Sequence, residues 1–244
     1  MERHIAIVLA AGQGKRMGTS QKKQYLLLHD KPILYYSLQA FEKSQYITDI
    51  ILVVGTGEES YVQQEIVNAY HFGKVCAIVE GGKERYQSVA NGIRAIEKYV
   101  KGASDTSYVW VHDGARPFLD EQSIERAYTC VRDIKACVVG MPVKDTVKIA
   151  DSCGYIATTP NRNLVWQIQT PQVFDYYLIK GAYIQLLEEE MTLKQRGISI
   201  TDDAMVVETF TNHKVGLVEG NYKNIKITTP EDLEVAQVFY KEIM

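Results

Sequence analysis

The sequence predicts an α/β fold: a mostly parallel, doubly wound (Rossmann-like) sheet with a protruding β-arm. Three observations lead there. Short β-branched runs alternate with helical periodicities through residues 5–141. The first run, Ile5–Ala10, leads into a loop containing glycines and basic residues. The alternation breaks over residues 143–162, where strand-like spacing surrounds the turn signal Asp151-Ser152-Cys153-Gly154.

The elements follow in order. Ile5–Ala10 is a continuous apolar run, as expected of a central strand buried on both faces. Leu34, Leu38 and Phe41 lie at helical spacing within Ile33–Phe41. Ile50–Val54 is a second strand, Tyr61–Tyr70 an amphipathic helix and Val75–Val79 a third strand. Val89, Ile93 and Ile96 share one face of a helix over Ser88–Val100. Tyr108–Val111, Ser123–Val131 and Ala136–Met141 continue the alternation as strand, helix and strand. Beyond the arm, Asp175–Glu190 reads as helix, and Lys214–Val218 and Asn224–Ile227 as strands. Pro230–Tyr240 is a last helix, with Thr229 at its N-cap and Pro230 in its first turn. No linker or repeat divides the chain, so residues 1–244 are expected to form one domain, with residues 143–162 as an arm within it.

Composition narrows the function classes. The chain has 244 residues, 46% of them hydrophobic and 23% charged, which is ordinary for a globular protein. A net charge of −3 argues against a dispersed nucleic-acid footprint. Cys76, Cys130, Cys137 and Cys153 form no C-x-x-C pair and read as free thiols in a reducing compartment. Arg3 precedes an apolar run, but Gly12-Gln13-Gly14-Lys15-Arg16 interrupts it at the short limit of a signal peptide. No stretch approaches the length of a membrane span. A cytoplasmic protein is expected.

Glycines after a buried strand let backbone N–H groups approach phosphate oxygens. Ala10, Ala11, Gly12 and Gly14 supply that backbone, and Lys15, Arg16 and Lys23 supply positive charge. Two other phosphate motifs fail on Met17. It stands where a P-loop needs its second glycine, and also at the third glycine position of the dinucleotide fingerprint. Gly81-Gly82 with Arg85 and Ser88 follows the third strand, and Asp113 with Arg116 follows the fourth. Asp113 could hold Mg²⁺ through its oxygens, and Arg116 could clamp a phosphate. Each also has a plain structural explanation: a solvated basic loop, a turn capping the next helix, an Asp113–Arg116 salt bridge. His112 reads as structural, and Thr201-Asp202-Asp203 as the cap of a helix starting near Ala204.

Leu9-Ala10-Ala11-Gly12-x-Gly14-x-Arg16-Met17 with Lys23-Gln24-Tyr25 resembles the signature loop of the sugar-nucleotide and alditol-phosphate nucleotidyltransferases. The ordered set narrows the resemblance: Gly81-Gly82…Arg85…Ser88-Val89, His112-Asp113-Gly114-Ala115-Arg116-Pro117, Pro142-Val143-Lys144-Asp145-Thr146-Val147-Lys148, Thr170-Pro171-Gln172-x-Phe174, Thr201-Asp202-Asp203-Ala204 and Asn224-Ile225-Lys226-Ile227-Thr228. Together they are similar to the 2-C-methyl-D-erythritol 4-phosphate cytidylyltransferase family of the non-mevalonate isoprenoid pathway. The ribitol-5-phosphate cytidylyltransferases are a near alternative, but they tend to differ at Ala11 and at Gly114-Ala115. A non-catalytic nucleotide-binding module is a second alternative, and a redox Rossmann domain a weaker one.

The resemblance implies CTP and methylerythritol phosphate as substrates, Mg²⁺ as cofactor and a homodimer. It implies that Arg16 and Lys23 stabilise the triphosphate. Ala10, Ala11, Gly12, Gly14, Gly82, Arg85 and Ser88 would bind CTP, with Gly82 and Ser88 reading cytosine, and Asp113 would position the metal. Arg116, Thr146, Arg162, Thr170 and Lys226 would hold the second substrate, with Arg162 and Lys226 aligning its phosphate. The arm would reach a neighbouring subunit, so that Thr146 and Arg162 serve the partner's site. Many members carry proline where this chain has Lys22, a position without an assigned role.

Overall fold

The computed structural model describes residues 2–14, 17–18, 22–102 and 107–243. In chain order its elements begin with β1 (Arg3–Ala10), β2 (Leu27–Leu28), β3 (Lys31–Pro32), α1 (Ile33–Lys43), β4 (Asp49–Val54) and α2 (Glu59–Val62). They continue with β5 (Val75–Glu80), α3 (Arg85–Tyr99), β6 (Ser107–Asp113), α4 (Glu121–Ile134), β7 (Ala136–Pro142), β8 (Ile149–Ala150) and β9 (Ile156–Thr158). The last are β10 (Trp166–Asp175), α5 (Tyr176–Glu188), α6 (Glu190–Gln195), α7 (Asp203–Phe210), β11 (Gly216–Glu219) and α8 (Pro230–Ile243).

Seven strands form one sheet in the order β11-β7-β10-β6-β1-β4-β5. Every neighbouring pair is parallel except the two made by β10, which runs antiparallel to both β6 and β7. The chain winds outward from β1 through β4 to β5, then crosses back to place β6 on the other side of β1. The carboxyl ends of β1 and β6 therefore flank the topological switch point, where open α/β sheets bind ligands.

The apolar run of β1 is continuous because successive side chains enter two different cores. Ala6 and Val8 pack with α1 and α4 on one face. Ile5 and Ile7 pack with α3, α5 and α7 on the other. A smaller cluster of Leu28, Ile33, Phe118, Ile227 and Ala236 docks α8 on the β2–β3 hairpin. Some helix starts carry their own caps. Asp120 accepts from the Ser123 amide at 2.7 Å. At α8, Thr229 Oγ1 accepts from the Asp232 amide and Asp232 accepts from the Thr229 amide, as expected for Thr229 at the N-cap.

Four expectations are corrected. Asn224–Ile227 is a loop, because its backbone bonds to the loop after β6: Ile227 N donates to Ala115 O, and Asn224 O accepts from Arg116. The antiparallel strand β10 was not anticipated. Polar Gln167, Gln169, Thr170 and Gln172 interrupt its pattern, and its register shifts between Ile168 and Gln172. The helix expected over Tyr61–Tyr70 is α2 followed by a π-helical turn, Gln63–Asn68. The helix expected over Asp175–Glu190 divides into α5 and α6 at Glu189.

Residues 143–165 leave the sheet between β7 and β10 and carry the exposed β8–β9 hairpin. Ile149, Tyr155, Ile156 and Leu164 stand exposed there. No helix among the described residues is long and apolar enough to cross a membrane.

Gly92 sets how closely α3 packs on the sheet. A Cβ there would lie 2.6 Å from Ile7 Cγ2, and Ile7 is fully buried. Alanine favours helix over glycine by about 1 kcal/mol, while overpacking a dense core costs about 1–3 kcal/mol. The steric effect should win, so Gly92→Ala is expected to lower the urea unfolding midpoint. A midpoint equal to or above that of the parent chain would contradict this packing.

Candidate active site

A cleft of about 360 Å³ opens at the switch point. Leu9 to Gln13, Lys23, Gln24, residues 82–85, Ser88, Asp113, Ala115 and Lys226 line it. Four segments distant in sequence supply these residues. Strand ends and a helix start place the first three, and the loop at Asn224–Ile227 brings in Lys226.

The loop after β1 is held by the short 3₁₀ turn Lys23–Tyr25. Gln24, buried, donates through Nε2 to Ala10 O at 2.5 Å. Gly14 takes a left-handed φ of +64°, and a Cβ there would meet the Lys23 backbone at 3.2 Å. Lys23 Nζ donates to Ile227 O at 3.1 Å. At Gly12 a Cβ would meet nothing within 4 Å among the described residues, so they leave the backbone there open. Arg16, with Lys15, lies outside the described residues.

Opposite this loop, the turn after β5 leads into α3. Gly82 N donates to Ser88 Oγ at 3.0 Å. Glu84 and Gln87 form a reciprocal capping box that fixes the helix start, and hence Arg85.

Asp113, at the end of β6, is the electrostatic centre. Its Oδ2 lies 3.0 Å from Lys226 Nζ and 3.3 Å from Arg116 Nε, and its Oδ1 lies 3.6 Å from Arg85 Nε. Burial pushes its carboxyl pKa up, but the charges of Lys226, Arg85 and Arg116 outweigh burial and hold it well below the usual carboxylate range. Asp113 is therefore ionised at any working pH. Three cations face Asp113, and even after Arg85 is paired with Asp203 one positive charge is left over, which favours a further anion.

Asp203 shapes this balance. It is fully buried and takes a bidentate pair from Arg85, Nη1 to Oδ1 at 2.9 Å and Nη2 to Oδ2 at 2.7 Å. Tyr183 Oη donates to the same Oδ1 at 2.5 Å. The better geometry at Asp203 keeps Arg85 from closing on Asp113. Asp202 is the cap that the sequence indicates, accepting from the Met205 amide. Asp203 was missed as a site residue, although it is a second acid where a single cap suffices and lies in the Thr201-Asp202-Asp203-Ala204 motif of the resemblance.

Beneath the cleft, His112 is fully buried in a directed chain. The Asp113 amide donates to Thr170 Oγ1 at 3.1 Å, and that hydroxyl donates to His112 Nδ1 at 2.9 Å. His112 Nε2 then donates to Arg116 O at 3.3 Å. Arg116 O can only accept, so Nε2 carries the proton, and on the neutral ring Nδ1 accepts from Thr170. Burial, opposed by the nearby charge of Asp113, holds the His112 pKa down at about 4. His112 is structural, as its sequence position suggests.

The expected site residues divide into groups. Ala10, Ala11, Gly12, Lys23, Gly82, Arg85, Ser88, Asp113 and Lys226 line one cleft. Arg116 lies just under it, paired with Asp113, so the Asp–Arg salt bridge exists alongside any phosphate role. Gly14 shapes the loop without lining the cleft. Thr170 is buried, and its hydroxyl is engaged by His112 and Asp113 N, so it orients the loop after β6. Thr146 and Arg162 lie in the excursion, where Arg162 Nη1 donates to Lys144 O, and neither lines the cleft. Among the described residues, no group of three His, Cys, Asp or Glu side chains is arranged to hold a metal.

Known proteins match this architecture along the whole chain. Residues 4–242 fit the family model described as IspD, 2-C-methyl-D-erythritol 4-phosphate cytidylyltransferase. A protein of that name from Lachnoclostridium phytofermentans is 52% identical over 242 residues, covering 99% of this chain and 98% of that protein. Another from Lachnospira eligens is 48% identical, covering 98% and 99%. The crystal structure of 4-diphosphocytidyl-2C-methyl-D-erythritol synthase from Anaerococcus prevotii superposes with a TM-score of 0.82. It is 32% identical and covers 98% of this chain and 96% of that one.

The buried neutral histidine has a pH signature. An unfolded histidine titrates near 6.5, whereas His112 in the fold titrates near 4. Between those values the unfolded chain binds protons that the folded chain refuses. Stability from this group is therefore full above about pH 6.5 and falls by about 3 kcal/mol as pH drops to 4. His4, also pushed down by burial, contributes with the same sign. Urea midpoints measured from pH 7.5 to 4.5 should fall, and His112→Gln should flatten that slope. An unchanged slope in the variant would show that His112 titrates normally.

Proposed function

The chain belongs to the 2-C-methyl-D-erythritol 4-phosphate cytidylyltransferase family, and from that premise we propose how its cleft performs the reaction. It is a nucleotidyltransferase. It joins the phosphate of 2-C-methyl-D-erythritol 4-phosphate to the cytidylyl group of CTP, and pyrophosphate leaves. The ribitol-phosphate and non-catalytic readings are not favoured. The observation that carries the proposal is the convergence of Lys226, Arg116 and Arg85 on Asp113, opposite the open backbone of the β1 loop.

Both reactants are anions, so their approach needs positive charge already in position. Lys23 and Arg16 neutralise the triphosphate as charge shifts toward the leaving pyrophosphate. Backbone N–H groups of the β1 loop bind phosphate oxygens, and Gly82 and Ser88 contact the cytosine. Lys226 turns from Asp113 toward the second substrate's phosphate and aligns one oxygen with the α-phosphorus. Arg116 adds charge from below. A single direct displacement follows, in which the O–P bond to the incoming phosphate forms as the bond to pyrophosphate breaks.

The donor chemistry also fits Mg²⁺. Asp113 is an ionised hard-oxygen ligand whose Oδ1 lies 3.6 Å from Arg85 Nε, while Lys226 and Arg116 approach Oδ2 more closely. One carboxylate suits an ion that keeps its waters and takes its remaining ligands from substrate phosphates. When bound, Mg²⁺ would offset charge on the triphosphate. We assign the protein to the cytoplasm and to a homodimer. The exposed apolar residues Ile149, Tyr155, Ile156 and Leu164 on the arm support a partner there. Thr146 and Arg162, absent from the chain's own cleft, are assigned to the partner's site.

Pyrophosphate release with CTP and Mg²⁺ tests the reaction. Turnover is expected with methylerythritol phosphate, and turnover only with ribitol 5-phosphate would overturn the substrate. Arg16→Ala should lower kcat about 10²–10³-fold in a folded chain, whereas near-normal kcat would remove Arg16 from charge stabilisation. The shared site has a separate test. Arg162→Ala and Lys226→Ala chains, each inactive alone, should regain activity after subunit exchange. Persistent inactivity in a verified mixed dimer would place Arg162 in its own chain's site.

A further inference from the structure

Lys22 directly precedes Lys23, and its side chain points away from the cleft's charge cluster. Its Nζ lies 2.7 Å from Glu58 Oε1, in the turn after β4. Glu58 Oε2 is engaged as well, accepting from Tyr25 Oη at 3.1 Å and from Gly55 N at 3.0 Å. Glu58 is itself fixed, since its amide donates to Gly55 O at 3.1 Å. The lysine reaches it by crossing Gly55, where a Cβ would collide with Nζ. One preorganised carboxylate thus grips both ends of the turn that carries Lys23. Gln24, between them, ties the same turn to the end of β1.

We propose that Lys22 and Glu58 form a positioning clamp that fixes the Lys23–Tyr25 turn, and with it the direction of Lys23 toward the nucleotide. This rests on the reading that Lys23 meets the triphosphate. The Lys22 ammonium acts through the backbone and does not touch substrate. An ion pair to a fixed, partly buried carboxylate loses less side-chain entropy than one between two mobile chains, so it can hold a turn where an ordinary surface pair contributes little. The backbone at Lys22 is already set for restraint: its φ of −65° and ψ of 139° match proline's own geometry.

That geometry separates positioning from direct phosphate contact. Steady-state pyrophosphate release would be measured for the parent chain, Lys22→Ala, Lys22→Pro, Glu58→Gln and the Lys22→Ala/Glu58→Gln double variant, with folding checked by circular dichroism. Lys22→Ala should lose about two- to fivefold in kcat/KM for CTP, the upper range of an exposed ion pair. Lys22→Pro should recover most of that loss, because the ring restores the backbone restraint without the charge. Glu58→Gln should reproduce the alanine loss, and the double variant should lose no more than either single one. Parent-like activity in Lys22→Ala would overturn the clamp. So would equal losses in folded Lys22→Ala and Lys22→Pro, since the ammonium itself would then be meeting phosphate. Additive losses in the double variant would also overturn it. Absence of CTP turnover in the parent chain would defeat the assigned reaction, and the clamp with it.

Discussion

The carboxylate of Asp113, shared among Lys226, Arg116 and Arg85, is the interaction on which the rest of the site depends. Removing a charge from water is costly, and one counter-ion often fails to offset that cost. Here three cations surround the group, and they hold it ionised despite its burial. The dependence runs both ways. Without the carboxylate, Lys226 and Arg116 would face each other at the end of the sheet without this counter-ion. With it, segments separated by more than a hundred residues converge on one point.

The backbone around that point is correspondingly restrained. The chain from the Asp113 amide through Thr170 and His112 to Arg116 O closes the loop on itself. Asn224 Nδ2 donates to Thr170 O, and Ile227 N donates to Ala115 O, so the loop carrying Lys226 is bound to the loop carrying Asp113. Ser37 Oγ on α1 contacts the Gly114 and Arg116 carbonyls from the other side. Catalysis by charge placement needs such rigidity, because a donor that must move to meet its charge stabilises it less.

Asp203 and Glu58 have parallel tasks at the two edges of the cleft. Each is a carboxylate that holds a structural arrangement and lies outside the reacting centre. Asp203 takes the better geometry from Arg85 and leaves one oxygen of Asp113 lightly engaged. Glu58 takes Lys22 and Tyr25 and leaves Lys23 between them. The basic residues of the site thus differ in role, although in the sequence they look alike.

Residues 5–141 could be read locally, because burial on both faces makes a parallel strand a continuous apolar run and packing on one face gives a helix its period. The phosphate loop was legible for a similar reason: strand, glycine and charge are adjacent in the chain. The glycine pair and Asp113 were named from their place at the ends of the third and fourth strands, whereas Lys226 was named from its resemblance to a family pattern, which encodes proximity without showing its cause. Strand β10 was not legible, since a run with Gln167, Gln169 and Thr170 has no strand signal until β6 and β7 supply partners on both sides. Nor was the loop at Asn224–Ile227, whose β-branched residues suggest a strand but whose hydrogen bonds go to the loop after β6. The sequence by itself determined the fold class and, through its ordered motifs, the family. Only the tertiary structure decided which cation pairs with which carboxylate: Arg85 with Asp203, and Lys22 with Glu58. Charge pairing depends on distances of a few ångströms between segments far apart in the chain, and those distances exist only once the sheet has formed.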